Sequence, residues 1–296
     1  GGTVETFVTE VANFFVEQGE LEAALPSYGG VINTSMLEQV SSAPAMMMDD
    51  GEMAMGAEEC SVDLSGETIT LYQQAGREGP LAALLGQGFA FATEDAVGWM
   101  NENGGICGAD VAVTFTETNY DVEKEVAAFE ASVASDPRPF LVFTYASPAT
   151  VALKDRVVEE QIVNFAAGLN APATYDPPNG YTIGMAPMYS DQFAGYAEYL
   201  QDNWDTLKPE GAGDDIVIGV IGWANSFGAG ATTPESLAYV EGLGITVLPL
   251  EEMALSPDAD ASGPVQNLLL GGANVIWNQS LSFTVAQVIE IGRAHV

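Results

Sequence analysis

From residue 67 onward, short apolar runs alternate with segments whose apolar residues recur at helical spacing. The apolar runs predict strands at 68–74, 109–117, 139–145, 161–166 and 180–187. The helical spacing predicts helices at 81–101, 122–135 and 148–159. Strands that alternate with helices favour right-handed βαβ units and a parallel sheet, with ligand sites at the carboxyl ends of its strands.

The same alternation restarts after a break. It predicts helices at 190–204, 234–242 and 263–270, and strands at 215–223, 245–251 and 273–279. We therefore expect two α/β lobes, each a doubly wound parallel sheet, with a hinge and a cleft between them. The boundaries expected are 67–187 for lobe 1 and 188–290 for lobe 2, whose sheet is expected to be incomplete at residue 290.

The first 66 residues have a different pattern. Apolar residues at helical spacing between residues 4 and 25 predict an amphipathic helix within the otherwise uncertain segment 1–40. Residues 41–66 are expected to form an acidic, Met-rich linker, because 41–59 lack periodicity. A metal site on those methionines is the alternative, although no Cys or His lies among residues 41–59.

The composition is strongly acidic. The sequence has 42 Asp and Glu residues and 7 Lys and Arg residues, which gives a formal charge of −35. Such a charge repels phosphate backbones and anionic lipids, so nucleic acid and membrane-surface partners are not expected. The chain has neither an initiating Met nor a signal segment, which predicts a processed or missing N-terminus.

The C-terminal hexapeptide 291–296, "IGRAHV", breaks the preceding pattern. With Glu290, its back-translation resembles a widely used sequencing adapter, which predicts a non-native tail and a natural protein that continues further. His295, the one histidine of the sequence, would then belong to that tail. Histidine catalysis would therefore have no candidate in this chain.

Motifs for cofactors and catalysis are weak. The "GQG" at 86–88 lies inside a helical pattern, no Walker lysine follows a Gly-rich loop, and no Gly-x-Ser-x-Gly elbow is present. Carboxylate pairs lie at the boundaries of predicted elements, where solvated helix caps are common. We expect no cofactor, no metal and no enzymatic activity.

The two cysteines, Cys60 and Cys107, each lie just upstream of a predicted strand. The first two strands of a doubly wound lobe are usually neighbours, so their entrances would bring the two sulfurs together. This predicts a disulfide and an oxidising compartment. Two unrelated buried thiols are the alternative.

Four predicted strands end in stretches rich in hydroxyls, amides and aromatic rings: "TYASPAT" (144–150), "AAGLNA" (166–171), "WANSFG" (223–228) and "NQSLSF" (278–283). Such groups hold a small molecule well and provide no activated nucleophile. Any one of these stretches alone is typical of an ordinary capped turn. The four together favour a ligand-binding cleft.

The order of elements resembles the type I periplasmic substrate-binding proteins of ABC transporters, the family of branched-chain amino-acid binding proteins. The resemblance covers residues 67–290. It rests on seven stretches in family order: "GREGPLAALLGQGF", "MNENGGICG", "TETNYDVEKEVAAF", "TYASPATVAL", "QIVNFAAGLNA", "YSDQFAGYAEYL" and "IGWANSFGAGAT".

This resemblance implies a two-lobed protein that closes on a ligand by hinge bending and delivers it to ABC permease subunits. Ser147 would hold the polar head of the ligand beside a helix N-terminus that favours a carboxylate. Phe227 would cover the ligand from the second lobe. The full set of expected ligand-binding residues is Tyr145, Ala146, Ser147, Leu169, Asn170, Trp223, Phe227, Ser280 and Ser282.

The sequence departs from the family pattern at several of these positions. Asn170 stands where the family often has Thr, and the loop before it reads Ala166-Ala167 instead of Ser-Pro. The expected ligand is therefore a small polar organic solute, such as an amino acid or an amide. We expect a monomer in the periplasm or outside the cell, with a lipid anchor on a missing N-terminus as one form of attachment.

Two other functions fit the same fold. A ligand-sensing domain of a signalling system would use the same lobes without transport. An α/β hydrolase would use Ser147 as its nucleophile, which requires a base beside it.

Overall fold

The computed structural model describes residues 60–78, 82, 87–175, 177–178, 180–209, 211–256 and 259–294, without the side chains of 282–283 and 292–294. The chain divides into two compact units, Gly1–Glu58 and Glu59–Val296, and every described residue belongs to the second. The helix predicted within 4–25 and residues 41–59 of the predicted linker lie outside the described residues.

The first sheet is parallel and has five strands in the order β2-β1-β3-β4-β5. Its strands are β1 (Thr68–Ala75), β2 (Asp110–Glu117), β3 (Leu141–Thr144), β4 (Val163–Ala166) and β5 (Thr182–Gly184). The helices of this part are α1 (Gln87–Glu102), α2 (Val122–Val133), α3 (Ser147–Glu159) and the short α4 (Ala171–Thr174).

The second sheet is also parallel and is arranged around β6 (Val217–Trp223). One edge of β6 pairs with β7 (Thr246–Val247) and β8 (Glu251–Met253), and the other pairs with β9 (Val275–Gln279). Its helices are α5 (Tyr189–Leu207), α6 (Pro234–Gly242), α7 (Ser262–Leu270) and α8 (Ser282–Ala294).

The parallel α/β architecture predicted from the sequence is confirmed. The strand predicted at 245–251 is wrong in one respect, because the structure has two short strands there. Pro249 lies between them, and a proline has no N–H to donate to the ladder. The helix α8 was not predicted.

The carboxyl end of β1 is polar although it is fully buried. The Gln73 amide donates to the Phe89 carbonyl at 3.1 Å and to Thr93 Oγ1 at 2.7 Å. The Gln74 amide donates to Glu125 Oε2 at 3.2 Å. These bonds give the buried amide N–H groups partners, and they attach β1 to α1 and α2.

The predicted disulfide between Cys60 and Cys107 is confirmed, with Cα atoms 5.5 Å apart. The Leu64 N–H donates to the Cys107 carbonyl at 2.9 Å, so the two segments also pair through the backbone. Cys60 precedes β1, and Cys107 precedes β2, its neighbour in the sheet. The disulfide therefore holds the amino ends of two adjacent strands.

No helix among the described residues is both long enough and apolar enough to cross a bilayer.

Candidate functional site

The first sheet changes direction between β1 and β3. From β1 the chain moves outward to β2 and then returns to the other edge of β1 with β3. The loops after these strands diverge at this point, where parallel α/β sheets commonly bind ligands. A cavity of about 170 Å³ lies there, lined by Tyr120, Tyr145, Ser147, Ala167, Tyr189, Trp223, Phe227 and Leu281.

One side of this cavity, here called the polar wall, consists of Tyr120, Tyr145, Ser147 and Ala167. These residues follow β2, β3 and β4 of the first sheet. The other side, here called the apolar wall, consists of Trp223, Phe227 and Leu281, which end or follow strands of the second sheet. Tyr189, the first residue of α5, lies between the two walls.

The hydroxyl of Tyr189 organises the polar wall. It lies 3.1 Å from Ser147 Oγ and donates to the Ala167 carbonyl at 3.3 Å. Gly168 allows the loop after β4 to pack closely against the start of α3, because a Cβ there would lie 2.6 Å from the Ser147 Cα. Burial raises the pKa of the Tyr189 phenol. The phenol therefore stays protonated and remains a hydrogen-bond donor.

Tyr120 reaches the cavity from an unusual backbone conformation. Asn119 and Tyr120 have φ angles of 55° and 60°, in the left-handed region that residues other than glycine rarely adopt. The Ser147 N–H donates to the Tyr120 hydroxyl, and burial raises the pKa of that phenol. Strain of this kind is common at functional sites, where the surrounding structure maintains it.

Glu125 lies one layer beneath the polar wall. Its carboxyl accepts from Gln74 Nε2 and Thr118 Oγ1, each at 3.2 Å, and from the Ala146 N–H. Burial raises the pKa of this carboxyl to about 7, and the hydrogen bonds from Thr118, Gln74 and Ala146 partly oppose the shift. Glu125 thereby joins the carboxyl ends of β1, β2 and β3.

The apolar wall is built by ring contacts. The ring centroid of Phe227 lies 5.2 Å from that of Trp223 and 5.1 Å from that of Tyr189. The loop that carries Phe227 is fixed by Asn225, whose Oδ1 accepts from the N–H groups of Phe227 and Gly228. A Cβ on Gly228 would lie 1.9 Å from the Trp223 carbonyl oxygen, so this turn requires glycine.

Four of the nine expected ligand-binding residues line this cavity: Tyr145, Ser147, Trp223 and Phe227. That they bind a ligand stays a prediction.

Four of the other five expected residues, Ala146, Leu169, Asn170 and Ser280, are not in the described lining. Ala146 is fully buried and donates its N–H to Glu125. Leu169 packs in a core cluster, and Asn170 donates from Nδ2 to the Ser226 carbonyl at 2.6 Å. Ser280 Oγ donates to Asn278 Oδ1 at 2.5 Å. The side chain of Ser282 lies outside the described residues.

Four lining residues were missed by the sequence reasoning: Tyr120, Ala167, Tyr189 and Leu281. Ala167 and Leu281 lie inside strand-end stretches that had been identified. Tyr120 follows β2. Because the first two strands were predicted to be neighbours, the loop after the second strand could have been expected at the same edge of the sheet. Tyr189 begins a helix after a chain crossover. It opens the stretch "YSDQFAGYAEYL" of the family resemblance, but it does not follow a predicted strand end of the kind used to select site residues.

A larger cavity of about 510 Å³ lies between α5 and α6. Its lining is Ala171, Tyr175, Ser190, Asp191, Ala194, Thr233, Glu235, Ser236 and Tyr239. We place the candidate site in the smaller cavity, because that one lies at the carboxyl ends of strands and receives residues from both sheets.

Several solved structures have a similar fold. A branched-chain amino-acid ABC transporter protein from Thermus thermophilus, with bound valine, has a TM-score of 0.67 at 20% identity, over 79% of this chain and 58% of that chain. A fatty acid ABC transporter substrate-binding protein from Thermomonospora curvata has a TM-score of 0.65 at 18% identity, over 79% of this chain and 57% of that chain. An ABC transporter substrate-binding protein from Desulfitobacterium hafniense, in complex with Leu, has a TM-score of 0.51 at 18% identity, over 72% of this chain and 58% of that chain.

This chain therefore spans less than two thirds of the length of these structures. A search of curated proteins gave no match. The sequence model of the periplasmic binding protein family matches residues 75–294, which include the second sheet, strands β2 to β5 of the first sheet and every described lining residue of the cavity. On that match and the shared architecture, the chain belongs to the periplasmic binding protein family and has the type I fold.

Proposed function

We propose that this protein is an extracytoplasmic solute-binding protein, which captures a small polar organic solute and delivers it to the permease subunits of an ABC importer. The observation that carries the proposal is the cavity between the two walls, because residues from both sheets converge on one small space. A ligand held there would contact both sheets at once. Its binding energy would then favour the closed arrangement of two lobes joined by a hinge.

The chemistry of the polar wall supports binding over hydrolysis. Ser147 Oγ pairs with the Tyr189 hydroxyl at 3.1 Å. A serine nucleophile needs a neighbouring base that removes its proton, and a phenol with a raised pKa is a poor base. Hydroxyls paired in this way are well suited to orient a polar ligand.

Two observations support export and transport. The disulfide between Cys60 and Cys107 is typical of proteins that fold in an oxidising compartment. Structural neighbours include substrate-binding proteins of ABC transporters for branched-chain amino acids and for fatty acids. Delivery to a permease is the role that we carry over from those neighbours.

Calorimetric titration tests the proposal. The panel contains L-valine and other amino acids, butyramide, urea, short organic acids, a fatty acid and choline. We expect saturable binding of at least one compound in a 1:1 complex. A hydrolase would instead cleave an ester or amide in the calorimeter cell, and chromatography of the mixture after the titration would detect the product.

Absence of binding across the panel would contradict the proposed function. Turnover of a bound ester or amide that is abolished in Ser147→Ala would favour the hydrolase.

A further inference from the structure

We infer that the cavity binds a compact organic cation of the alkylated ammonium type. This inference deepens the proposed function and rests on it. It depends on three features of the site: the aromatic lining, the lack of a cationic side chain among the described lining residues, and the carboxyl group of Glu125 beneath the polar wall.

Aromatic residues make up most of the lining. Five of the eight lining residues that the structure describes carry rings: Tyr120, Tyr145, Tyr189, Trp223 and Phe227. The planes of neighbouring rings differ by 74° for Tyr120 and Tyr145, and by 77° for Tyr189 and Phe227. The rings therefore do not stack in one layer. The faces of such rings are electron-rich and attract alkylated ammonium groups.

No Lys or Arg among the described side chains lines the cavity. The nearest one along the chain to a lining residue is Lys124, an exposed residue of α2 four positions after Tyr120. Arg77, which follows β1, also lies outside the lining. Its guanidinium lies 3.6 Å from the ring centroid of Phe115 and is paired with Glu94. A buried carboxylate ligand would therefore lack a cationic partner from this part of the chain, which makes its desolvation costly.

The start of α3 is also poorly suited to an anion. The Ala146 N–H donates to the Glu125 carboxyl, and the Ser147 N–H donates to the Tyr120 hydroxyl. Pro148 has no N–H. The protein's own groups thus occupy two of the donors that a ligand carboxylate would use at this helix N-terminus, and the proline removes a third, which weakens the anion site expected from the family resemblance.

Glu125 supplies a negative charge close to the cavity when it is ionised. It contacts Ala146, which lies between the lining residues Tyr145 and Ser147. The titratable groups that face it are Asp121 at the N-cap of α2, Tyr120 after β2 and Tyr72 on β1. A bound cation would favour the ionised form of Glu125, and a bound anion would oppose it.

This coupling predicts a pH dependence with a definite sign. Burial raises the pKa of the Glu125 carboxyl to about 7, so the group is largely protonated at lower pH. A cation that lowers this pKa on binding must displace the proton there. Its affinity should therefore rise as the pH rises through about 7, by about threefold or more between about pH 6 and about pH 8.

The test compares choline with 3,3-dimethylbutan-1-ol, a neutral molecule of nearly the same shape, by calorimetry on the 296-residue chain. We expect choline to bind about tenfold more tightly, because only choline offers a charge to the rings. The pH dependence should be present for choline and absent for the alcohol. Glu125→Gln should abolish it, and the matched change Glu123→Gln, an exposed residue of the same helix, should leave it intact.

The outcomes separate this inference from the proposed function. Equal or tighter binding of the alcohol would overturn the cationic ligand class, as would binding of L-valine or butyramide without binding of choline. Either result would leave a solute-binding function in place. Absence of binding by every compound would contradict the proposed function itself. The comparison of choline with the alcohol uses the unaltered chain, so it stands even if a variant folds poorly.

Discussion

The two walls of the cavity differ in how their side chains are fixed. The polar wall is held by a chain of hydrogen bonds that links Ser147, Tyr189 and Ala167, with Tyr120 bound to the Ser147 N–H. The apolar wall is held by ring contacts of Phe227 with Trp223 and Tyr189. The first wall can therefore orient a polar head group, and the second can exclude water from it.

This difference suggests a division of energy between the two sheets. Hydrogen bonds in a protein each contribute modestly, because the same groups are also well satisfied by water. An aromatic side chain that closes over a ligand contributes more, because it removes apolar surface from water. We therefore expect changes in the apolar wall to weaken binding more than single changes in the polar wall.

The largest expected effect concerns the scaffold of the polar wall. Replacing both Cys60 and Cys107 by Ser removes the disulfide between the entrances of β1 and β2. The sequence separation of 47 residues gives a loss of about 4 kcal/mol in the free energy of unfolding on the chain-entropy model. Urea denaturation of the oxidised protein and the double variant measures it. Identical denaturation midpoints would show that the disulfide does not stabilise this sheet.

The second effect is the pH dependence of stability. Burial raises the pKa of the Glu125 carboxyl from 4.5 to about 7 in the folded protein. The folded state then holds this proton more tightly than the unfolded state does, so stability is present at low pH and is lost as the pH rises through about 7. We expect a loss of about 2 to 3 kcal/mol from this group between about pH 4.5 and about pH 8.

Glu125→Gln should remove that share of the pH dependence, and Glu123→Gln should retain it. Urea denaturation at a series of pH values gives both curves. A Glu125→Gln protein whose stability falls with pH as steeply as the unaltered chain would contradict the assignment.

The third effect tests the apolar wall. Phe227→Ala should weaken binding of the tightest compound of the panel by about 2 kcal/mol, because it opens one side of the cavity to water. The matched control is Phe140→Ala, since that ring is 72% exposed and lies outside the lining. Calorimetry measures the affinity of both variants for this compound. If Phe227→Ala binds it as tightly as Phe140→Ala does, the ligand lies elsewhere.

The smallest effect tests the polar wall. Ser147→Ala removes one hydroxyl from the bonded chain and should weaken binding by about 1 kcal/mol, less than Phe227→Ala does. Ser61→Ala, at an exposed position near the disulfide, serves as its control. A larger loss in Ser147→Ala than in Phe227→Ala would reverse the proposed division of energy between the walls.

The sequence predicted the parallel fold well, because buried strands and amphipathic helices leave clear periodic patterns along a chain. It also predicted the disulfide, since the order of the first two strands brings the two cysteines together. It identified Tyr145, Ser147, Trp223 and Phe227 because each ends or follows a strand that the pattern had located.

The rest of the site depends on long-range packing that no local pattern reports. Tyr120 lines the cavity only because two consecutive residues adopt left-handed conformations. Tyr189 lies at the start of a helix whose position is set by the crossover between the sheets. Glu125 has the pattern of an ordinary helix residue, and its burial against the ends of three strands follows from tertiary structure alone.

Amide hydrogen exchange tests the central claim most directly, namely that the cavity between the two walls is the solute site. Exchange is compared with and without the tightest compound of the panel. We predict slower exchange in three segments together: 118–120, 145–147 and 223–228. Protection confined to 190–194 and 233–239, which line the larger cavity between α5 and α6, would contradict the claim.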